Sequence, residues 1–409
     1  MYTLHVPEVI VLDRVRQHTR ATRRLDRLMA AITADRVTEV DDAGLAALVE
    51  ARGWHLPRKR TGQYRMAEAP VLIFSTFRWP PDEAPAHTAL NGPLMRGTGA
   101  WTHRDRDGFL RSQSCICQSA WEIHCAYGCL HACDYCHVPP WFLIMLDLEE
   151  LAERVRGFGE TIPWQQLYKF DNYTDTITLE PEYGASETMV HAFADWPGRY
   201  LLLYTKSDNV GHLLPLQHKG HTLISWSLSC EAVATAIEKG TPSVERRIAA
   251  IERCQGAGYP VRVRISPICP VRNWREGYAA MIGDLLARTT PEVITIDVIG
   301  WMTAAQMKDA LGSTHFDEPY AAALDRLDAE GFKPKGKHLF PHEMRRDILR
   351  FIIDEIRRHR PSQPVSICME SVDMWRDLGP ILGMAPDGYA CCCGPTSVPG
   401  HPLLARRNG

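Results

Sequence analysis

From about residue 119 onward, short apolar runs alternate with amphipathic stretches at a spacing of roughly 25–35 residues, the pattern of parallel βαβ units. The apolar runs fall at 177–180, 200–206, 222–229, 261–268 and 293–299, each rich in Val, Ile, Leu, Thr or Tyr. Helical periodicity lies at 148–156, 186–194, 210–214, 243–257 and 274–287. A further run at 121–124 makes six units. Six parallel units suit an α/β fold of the partial (β/α)6 barrel kind, open on one side, with its active site at the C-terminal ends of the strands. A doubly wound sheet is the alternative topology.

The flanking segments read differently. Residues 12–34 are rich in Arg and Leu and look helical, and 41–52 starts with Asp41 as an N-cap before an apolar stripe. Residues 66–112 carry Pro80, Pro81, Pro85 and Pro93 and look loop-rich, with a lone strand candidate at 71–77. A helix is expected at 342–358 and a short strand at 365–368. The chain thus divides into an N-terminal extension of mixed helix and loop (1–118), the barrel (119–330), and a C-terminal helical segment with a cysteine-rich tail (331–409).

At 409 residues, 45% apolar and 23% charged, with a formal charge of -3, the composition is that of an ordinary soluble chain. It argues against a strongly basic nucleic-acid clamp, though a local basic groove is compatible with it. The first residues lack the apolar core of a signal peptide, and no apolar run is long enough for a membrane span. A cytoplasmic location with no membrane partner is the expectation.

Thirteen cysteines change this picture, because they are clustered: six fall between Cys115 and Cys136, and Cys391, Cys392 and Cys393 are consecutive. A large chain without a secretory signal is a poor candidate for a disulfide framework, so metal ligation or redox chemistry is the better reading. Cys230, Cys254, Cys269 and Cys368 stand singly in apolar surroundings and read as small buried hydrophobes.

The segment YGCLHACDYCHV places Cys129, Cys133 and Cys136 in a C-x3-C-x2-C spacing, after an expected strand and before a helix. Thiolates are the usual ligands of iron–sulfur cubes. Three closely spaced thiolates leave one iron open to a small chelating ligand. Zinc is the competing reading, with His124, His131 or His137 as a fourth ligand. Structural zinc commonly uses two separated knuckles, which one compact motif does not provide.

With its neighbours, this motif resembles those of the radical S-adenosylmethionine (SAM) superfamily, and within it the spore photoproduct lyase family. The similar blocks are YGCLHACDYCHV, LDLEELAERV, LLLYTKSDN, HTLISWSLS, IEKGTPSVERRIAAIERCQGAGYPVRVRISPI and ICMESVDMW, across roughly residues 119–375. The resemblance implies a barrel of the radical SAM type. It also implies a [4Fe–4S] cluster on Cys129, Cys133 and Cys136, reductive cleavage of SAM to a 5'-deoxyadenosyl radical, and hydrogen abstraction from a nucleoside, nucleotide or nucleic-acid base. A reductant such as flavodoxin or ferredoxin would be the protein partner. Lys206 and Ser227 match SAM-contacting positions, where a lysine could neutralise the carboxylate and a serine bind the ribose or amino group. Thr174 and Asp175 are further candidates near SAM, and Glu180 is a weaker one. Two positions depart from the family. Asn172 stands where the family carries a hydrogen-donating cysteine, and His137 replaces a tyrosine after the last cluster cysteine, although Tyr135 remains. Both departures put thymine-dimer repair by the family's route in doubt and single out Asn172 and Tyr135 as candidate catalytic positions.

Cys115, Cys117 and the Cys391–Cys393 run, with Cys125 nearby, admit three readings: an auxiliary iron–sulfur cluster, a replacement hydrogen donor, or inert thiols. An auxiliary cluster would suit an alternative function in natural-product tailoring, including carbon–sulfur bond formation. A non-catalytic iron–sulfur or zinc protein is the third functional class.

Overall fold

The computed structural model describes residues 4–54, 71–79, 100–136, 138–139 and 141–405, and builds them around two sheets. The first begins with β1 (Leu4–Leu12), β2 (Ile32–Val40) and β3 (Val71–Ser75), in which β1 pairs parallel with both others. β4 (Trp101–Arg104) and β5 (Ala120–Ile123) then form an antiparallel pair at the edge of the second sheet. The chain returns to the first sheet with β6 (Ala126–Tyr127) and β7 (Trp141–Met145), and β7 pairs parallel with β3. These two strands flank the C-x3-C-x2-C loop. No break in hydrogen bonding therefore coincides with the expected boundary near residue 118. The N-terminal sheet holds one side of the cysteine loop and the second sheet holds the other.

The second sheet continues through β8 (Leu167–Phe170), β9 (Tyr200–Thr205), β10 (Thr222–Leu228), β11 (Val261–Ile268), β12 (Ile294–Val298) and β13 (Val365–Ile367). From β5 to β13 every neighbouring pair is parallel, in sequence order, and the sheet is open between β13 and β4. This is the expected partial barrel with β13 as an additional seventh parallel strand. Helices Leu148–Glu160, Ala185–Ala194, Val244–Gly256, Trp274–Arg288 and His342–His359 bury their apolar faces against it. Among the described residues no helix is long and apolar enough to cross a membrane.

Several expectations are corrected. Residues 177–180 form turns, not a strand. Their backbone groups pair with side chains instead: Asn209 Nδ2 donates to the carbonyls of Ile177 and Glu180, at 3.0 and 2.6 Å. The strand of that unit is β8, whose apolar run is interrupted by Lys169, an inward-pointing cation. Residues 210–214 are likewise turns rather than a helix. The expected helix over 12–34 is a short 3-10 turn (Asp13–Gln17) and a helix (Thr19–Ala31), followed directly by β2. β1 contains Pro7 and Glu8, and β2 carries the charges of an edge strand, which masks both in an apolar pattern. Asp41 caps its helix as expected, accepting from Gly44 N at 2.7 Å. The Pro-rich stretch at 80–99 and His137 lie outside the described residues.

The N-terminal layer is bolted to the barrel by polar contacts. Buried Arg24 donates to the carbonyls of Leu146 and Tyr183 and pairs with Glu149 at 2.8 Å. Asp147, just before the first barrel helix, accepts from Phe77 N through both oxygens, at 3.0 and 3.1 Å. Burial pushes this carboxyl up to about 7, against the opposing effect of the Phe77 N–H. A carboxyl whose folded pKa lies above its unfolded value binds an extra proton in the native state. Its contribution to stability is complete below the unfolded pKa and is lost as pH rises through the folded one. Urea unfolding of the wild type should therefore lose stability between about pH 4 and about pH 7 relative to Asp147→Asn, the two curves running parallel outside that window. Curves that stay parallel throughout would show that Asp147 is ionised in the fold.

Candidate active site

The cysteine loop is shaped by close backbone approaches. Gly128 has φ of +133°, and a Cβ there would meet Phe142 Cα at 2.7 Å, so a side chain is excluded. Asp134 N donates to Ile237 O at 2.9 Å and Gly240 N to His131 O at 2.8 Å. A Cβ on Gly240 would lie 2.6 Å from that same carbonyl. The segment Ile237–Gly240 is therefore the bed on which the loop rests. Cys133 is buried, Cys129 and Cys136 are half-buried, and Cys136 N donates to Cys133 O at 2.9 Å.

Two of the histidines that would complete a zinc site, His124 and His131, are engaged elsewhere. His124 is buried between Asp171 Oδ1 at 2.6 Å and Thr102 Oγ1 at 2.8 Å, and its ring stacks on Tyr173. His131 meets Asp175 Oδ2 at 2.9 Å. The Asp175 carboxylate also accepts from Lys206 N at 2.6 Å and from Thr205 Oγ1 at 2.9 Å. Burial would raise this carboxyl, but the His131 partner and the backbone N–H donors hold it below the usual range. Asp175 is thus saturated by the protein and positions the loop. Thr174 is half-buried, with its hydroxyl toward Asp175 O at 3.5 Å. Glu180 is buried and accepts from Gly184 N and Ser186 N at 2.7 and 2.8 Å, as a structural carboxylate does.

Beneath the loop, Glu238 is fully buried and joins four groups. Its Oε1 accepts from Tyr135 OH at 2.5 Å and lies 3.1 Å from Lys206 Nζ; its Oε2 accepts from Ser229 Oγ at 2.9 Å and Arg247 Nη1 at 2.7 Å. Burial alone would raise its pKa, yet the charges of Lys206 and Arg247 hold it well below the carboxylate range. Lys206 Nζ is near Glu238 but makes no well-aligned hydrogen bond, so its donors are available to a ligand.

Lys206 opens into a cavity of about 880 Å³ inside the barrel. Tyr135, Asn172, Lys206 and Ser227 line it near the C-terminal ends of the strands, so the structure brings these four expected residues together. Thr174 and Asp175 stand behind the wall. The sequence reading missed the deeper wall. There Glu122 pairs with Arg104 at 2.8 Å and Lys169 at 2.5 Å, and Asp297 with Arg264 at 3.4 Å and Lys337 at 2.5 Å. The available signal was a charge within each short apolar strand: Glu122 in AWEI, Lys169 in LYKF, Arg264 in VRVRISPI and Asp297 in ITIDV.

The tail folds back to the N-terminal ends of the strands. Pro395 O accepts from Gln166 N and Leu167 N, both at 2.9 Å, and Gln118 Nε2 donates to Tyr389 O at 2.7 Å. The tail cysteines are buried, not exposed, and they separate. Cys393 faces the cavity, whereas Cys392 turns away and donates to Val263 O at 3.2 Å. Cys115 lies under Gly336 and donates to Gln113 O at 3.2 Å. Cys117 and Cys368 line the cavity with Cys393. Cys368, expected to be an inert core thiol, is half-buried with Arg264 Nη2 at 3.9 Å. Cys230, Cys254 and Cys269 are buried as expected.

With this geometry established, relatives can be compared. A family model described as spore photoproduct lyase matches residues 110–363, more than half of the chain. The chain belongs to the spore photoproduct lyase family. It is 25% identical over 189 residues to spore photoproduct lyase of Bacillus subtilis and 21% identical over 255 residues to that of Clostridium acetobutylicum. These matches span 44% and 60% of this chain, and 55% and 75% of the relatives, so the B. subtilis match covers about half of that protein. A solved cysteine-to-serine variant of spore photoproduct lyase superposes with a TM-score of 0.60 at 16% identity, covering 90% of this chain and 98% of that one. A second solved variant, with bound AdoMet and dinucleoside spore photoproduct, gives 0.59 at 15% identity over the same shares. At such identities these structures establish the fold.

The donor set fits the cluster of this family. Three cysteines share one loop, His124 and His131 are committed elsewhere, and the half-buried Lys206, whose Nζ makes no well-aligned hydrogen bond, opens beside them. If Glu238 holds that corner together, removing its charge should leave Lys206 and Arg247 buried without a counter-ion. We expect Glu238→Gln to lower the unfolding free energy of the cluster-free protein by about 3–5 kcal/mol in anaerobic urea titrations. A loss under about 1 kcal/mol would mean that the two cations find other partners.

Proposed function

We propose that this protein is a radical SAM enzyme acting on a nucleoside, nucleotide or nucleic-acid base. The observation that carries the reading is the cavity into which Lys206, Ser227, Tyr135 and Asn172 converge beside the cysteine loop. Cys129, Cys133 and Cys136 would hold the [4Fe–4S] cluster, which with SAM would supply the chemistry of radical hydrogen abstraction. The chain's own residues do the rest. Lys206 Nζ neutralises the SAM carboxylate, and Glu238 keeps that lysine from swinging away. Ser227 hydrogen-bonds the ribose or amino group. Tyr135, buried on Glu238 and packed edge-on against Trp301, forms an aromatic wall against which a base can lie. Tyr173 and Tyr204 line the same space, and Arg104, Lys169, Arg264 and Lys337 give it the cationic lining a phosphorylated ligand favours. A small electron-transfer protein such as flavodoxin or ferredoxin would supply the reducing electron.

Anaerobically reconstituted protein with dithionite and SAM should release 5'-deoxyadenosine and methionine. Cys129→Ala, Cys133→Ala or Cys136→Ala should each abolish this. Lys206→Ala should raise the SAM KM at least tenfold while iron content is kept, as loss of a charged hydrogen bond would. Undiminished cleavage in any of the cysteine variants sinks the assignment.

Asn172 lines the cavity at the family's donor position, and an amide has no hydrogen to give a carbon radical. Incubation with the dinucleoside spore photoproduct should therefore yield little or no clean repair to two thymines. Asn172→Cys should increase that repair if the substrate fits. Efficient repair by the wild type would show that a different group returns the hydrogen.

A further inference from the structure

Four cations of the cavity wall share two buried carboxylates, one in the wall and one behind it: Glu122 serves Arg104 and Lys169, and Asp297 serves Arg264 and Lys337. Two positive charges are left unmatched. Charge of that size is not left uncompensated in a protein interior. The groups that face it are sulfurs. Cys393 Sγ lies 3.6 Å from Arg104 Nη1, and Cys368 Sγ lies 3.9 Å from Arg264 Nη2. Cys391 and Cys393 are close enough to interact with each other, and Tyr204, whose OH accepts from Arg264 Nη1 at 2.9 Å, also interacts with Cys393. Cys117 shares the cavity wall and interacts with Arg104, Cys368 and Cys393.

Four thiols thus reach one region from three separated parts of the chain: the lead-in to β5, the residue after β13, and the tail. We propose that Cys117, Cys368, Cys391 and Cys393 are the ligands of a second [4Fe–4S] cluster at the base of the barrel. A [4Fe–4S]2+ core bound by four thiols releases four protons and leaves a net charge of about -2, which the two unmatched cations cancel. The N–H and O–H groups of Arg104, Arg264 and Tyr204 would then be the hydrogen bonds to sulfur that stabilise such a cluster. Among the described residues no three Cys, His, Asp or Glu side chains close on a single point as around one ion, and this holds for Cys129, Cys133 and Cys136 as well. A single zinc needs all its sulfurs about 2.3 Å from one centre. A cube spreads them over four irons. Cys115 and Cys392 are excluded, because their thiols are spent on the carbonyls of Gln113 and Val263.

This assignment deepens the radical SAM reading but does not need it, so the test separates the two. The full chain is reconstituted anaerobically with iron and sulfide, and metal content is measured with Mössbauer and EPR spectra. The wild type should hold about eight irons. A Cys129/Cys133/Cys136→Ala variant should keep about four, with no SAM cleavage. A Cys368/Cys391/Cys393→Ala variant should keep about four and still cleave SAM. Cys115→Ala and Cys392→Ala should hold the full complement. Because the triple tail variant removes buried groups, Cys368→Ser provides a milder check: it should alter only the EPR signal that survives loss of the motif cysteines. The proposal is overturned if the motif variant binds no iron, if it binds zinc instead, or if Cys368→Ser leaves that signal unchanged. Persistence of four irons in the motif variant alongside an inability of the wild type to cleave SAM would sustain the second site and remove the proposed activity.

Discussion

Three buried carboxylates, each shared by two cations, organise the interior of this barrel. Glu238 joins Lys206 to Arg247, Glu122 joins Arg104 to Lys169, and Asp297 joins Arg264 to Lys337. A buried ion is costly unless paired, and each of these carboxylates is more than paired. For Glu122, as for Glu238, burial pushes the carboxyl up and the two adjacent cations outweigh it. The result is an interior with a surplus of positive charge, arranged in two levels. The upper surplus lies under the cysteine loop, where three thiolates and the carboxylate of a bound ligand would gather. The lower one faces the thiols brought in by the tail. Each surplus sits where anionic sulfur would be held, so electrostatics and the placement of cysteines tell the same story.

These carboxylates also explain how the elements are placed. β5, β8 and β12 each insert one charged residue into an otherwise apolar strand and β11 inserts two, Arg262 and Arg264. Glu122 is the register partner of Lys169, so the ion pair and the β5–β8 register support one another. Arg247 reaches Glu238 from a helix whose N-cap, Ser243, accepts from Arg246 N at 3.3 Å. The run from Glu238 to Arg247 thus carries the cation hub, the bed of the cysteine loop and a helix start together. Cys133 and Tyr135 of the loop join the core, and the loop's backbone rests on this bed and on β6 and β7.

What the sequence made legible follows from that arrangement. Strands with uninterrupted apolar runs, such as β9 and β10, announce themselves through their pattern. β8 does not, because Lys169 breaks the run, while 177–180 imitates a strand though its carbonyls are taken by Asn209. β1 and β2 are hidden by Pro7 and by edge charges. The motif cysteines, Lys206 and Ser227 were legible through spacing and family likeness. The hubs were not, since a lone charge in a strand is usually read as its solvent face. Only the curvature of the barrel sheet reveals that the face is inward. The tail was the hardest case. Three adjacent cysteines in a Gly- and Pro-rich stretch look equivalent in sequence, yet consecutive residues must point in different directions. Cys391 and Cys393 therefore meet while Cys392 buries itself against β11.

That alternation bears on the reaction. Asn172, the residue proposed to stand at the family's donor position, lines the cavity, and the only thiols lining it among the described residues are Cys117, Cys368 and Cys393. A thiol can give its hydrogen atom to a carbon radical, whereas a sulfur bound to iron has no S–H bond to give. The two uses of these sulfurs exclude each other. The cations of the wall favour the second use, since Arg104 Nη1 lies 3.6 Å from Cys393 Sγ and Arg264 Nη2 lies 3.9 Å from Cys368 Sγ, where metal-bound, anionic sulfur would be compensated. If the proposed cluster takes these sulfurs, Asn172 and the cationic lower wall act to the same end: under the proposed activity a substrate radical would meet no thiol among the described residues that line the cavity.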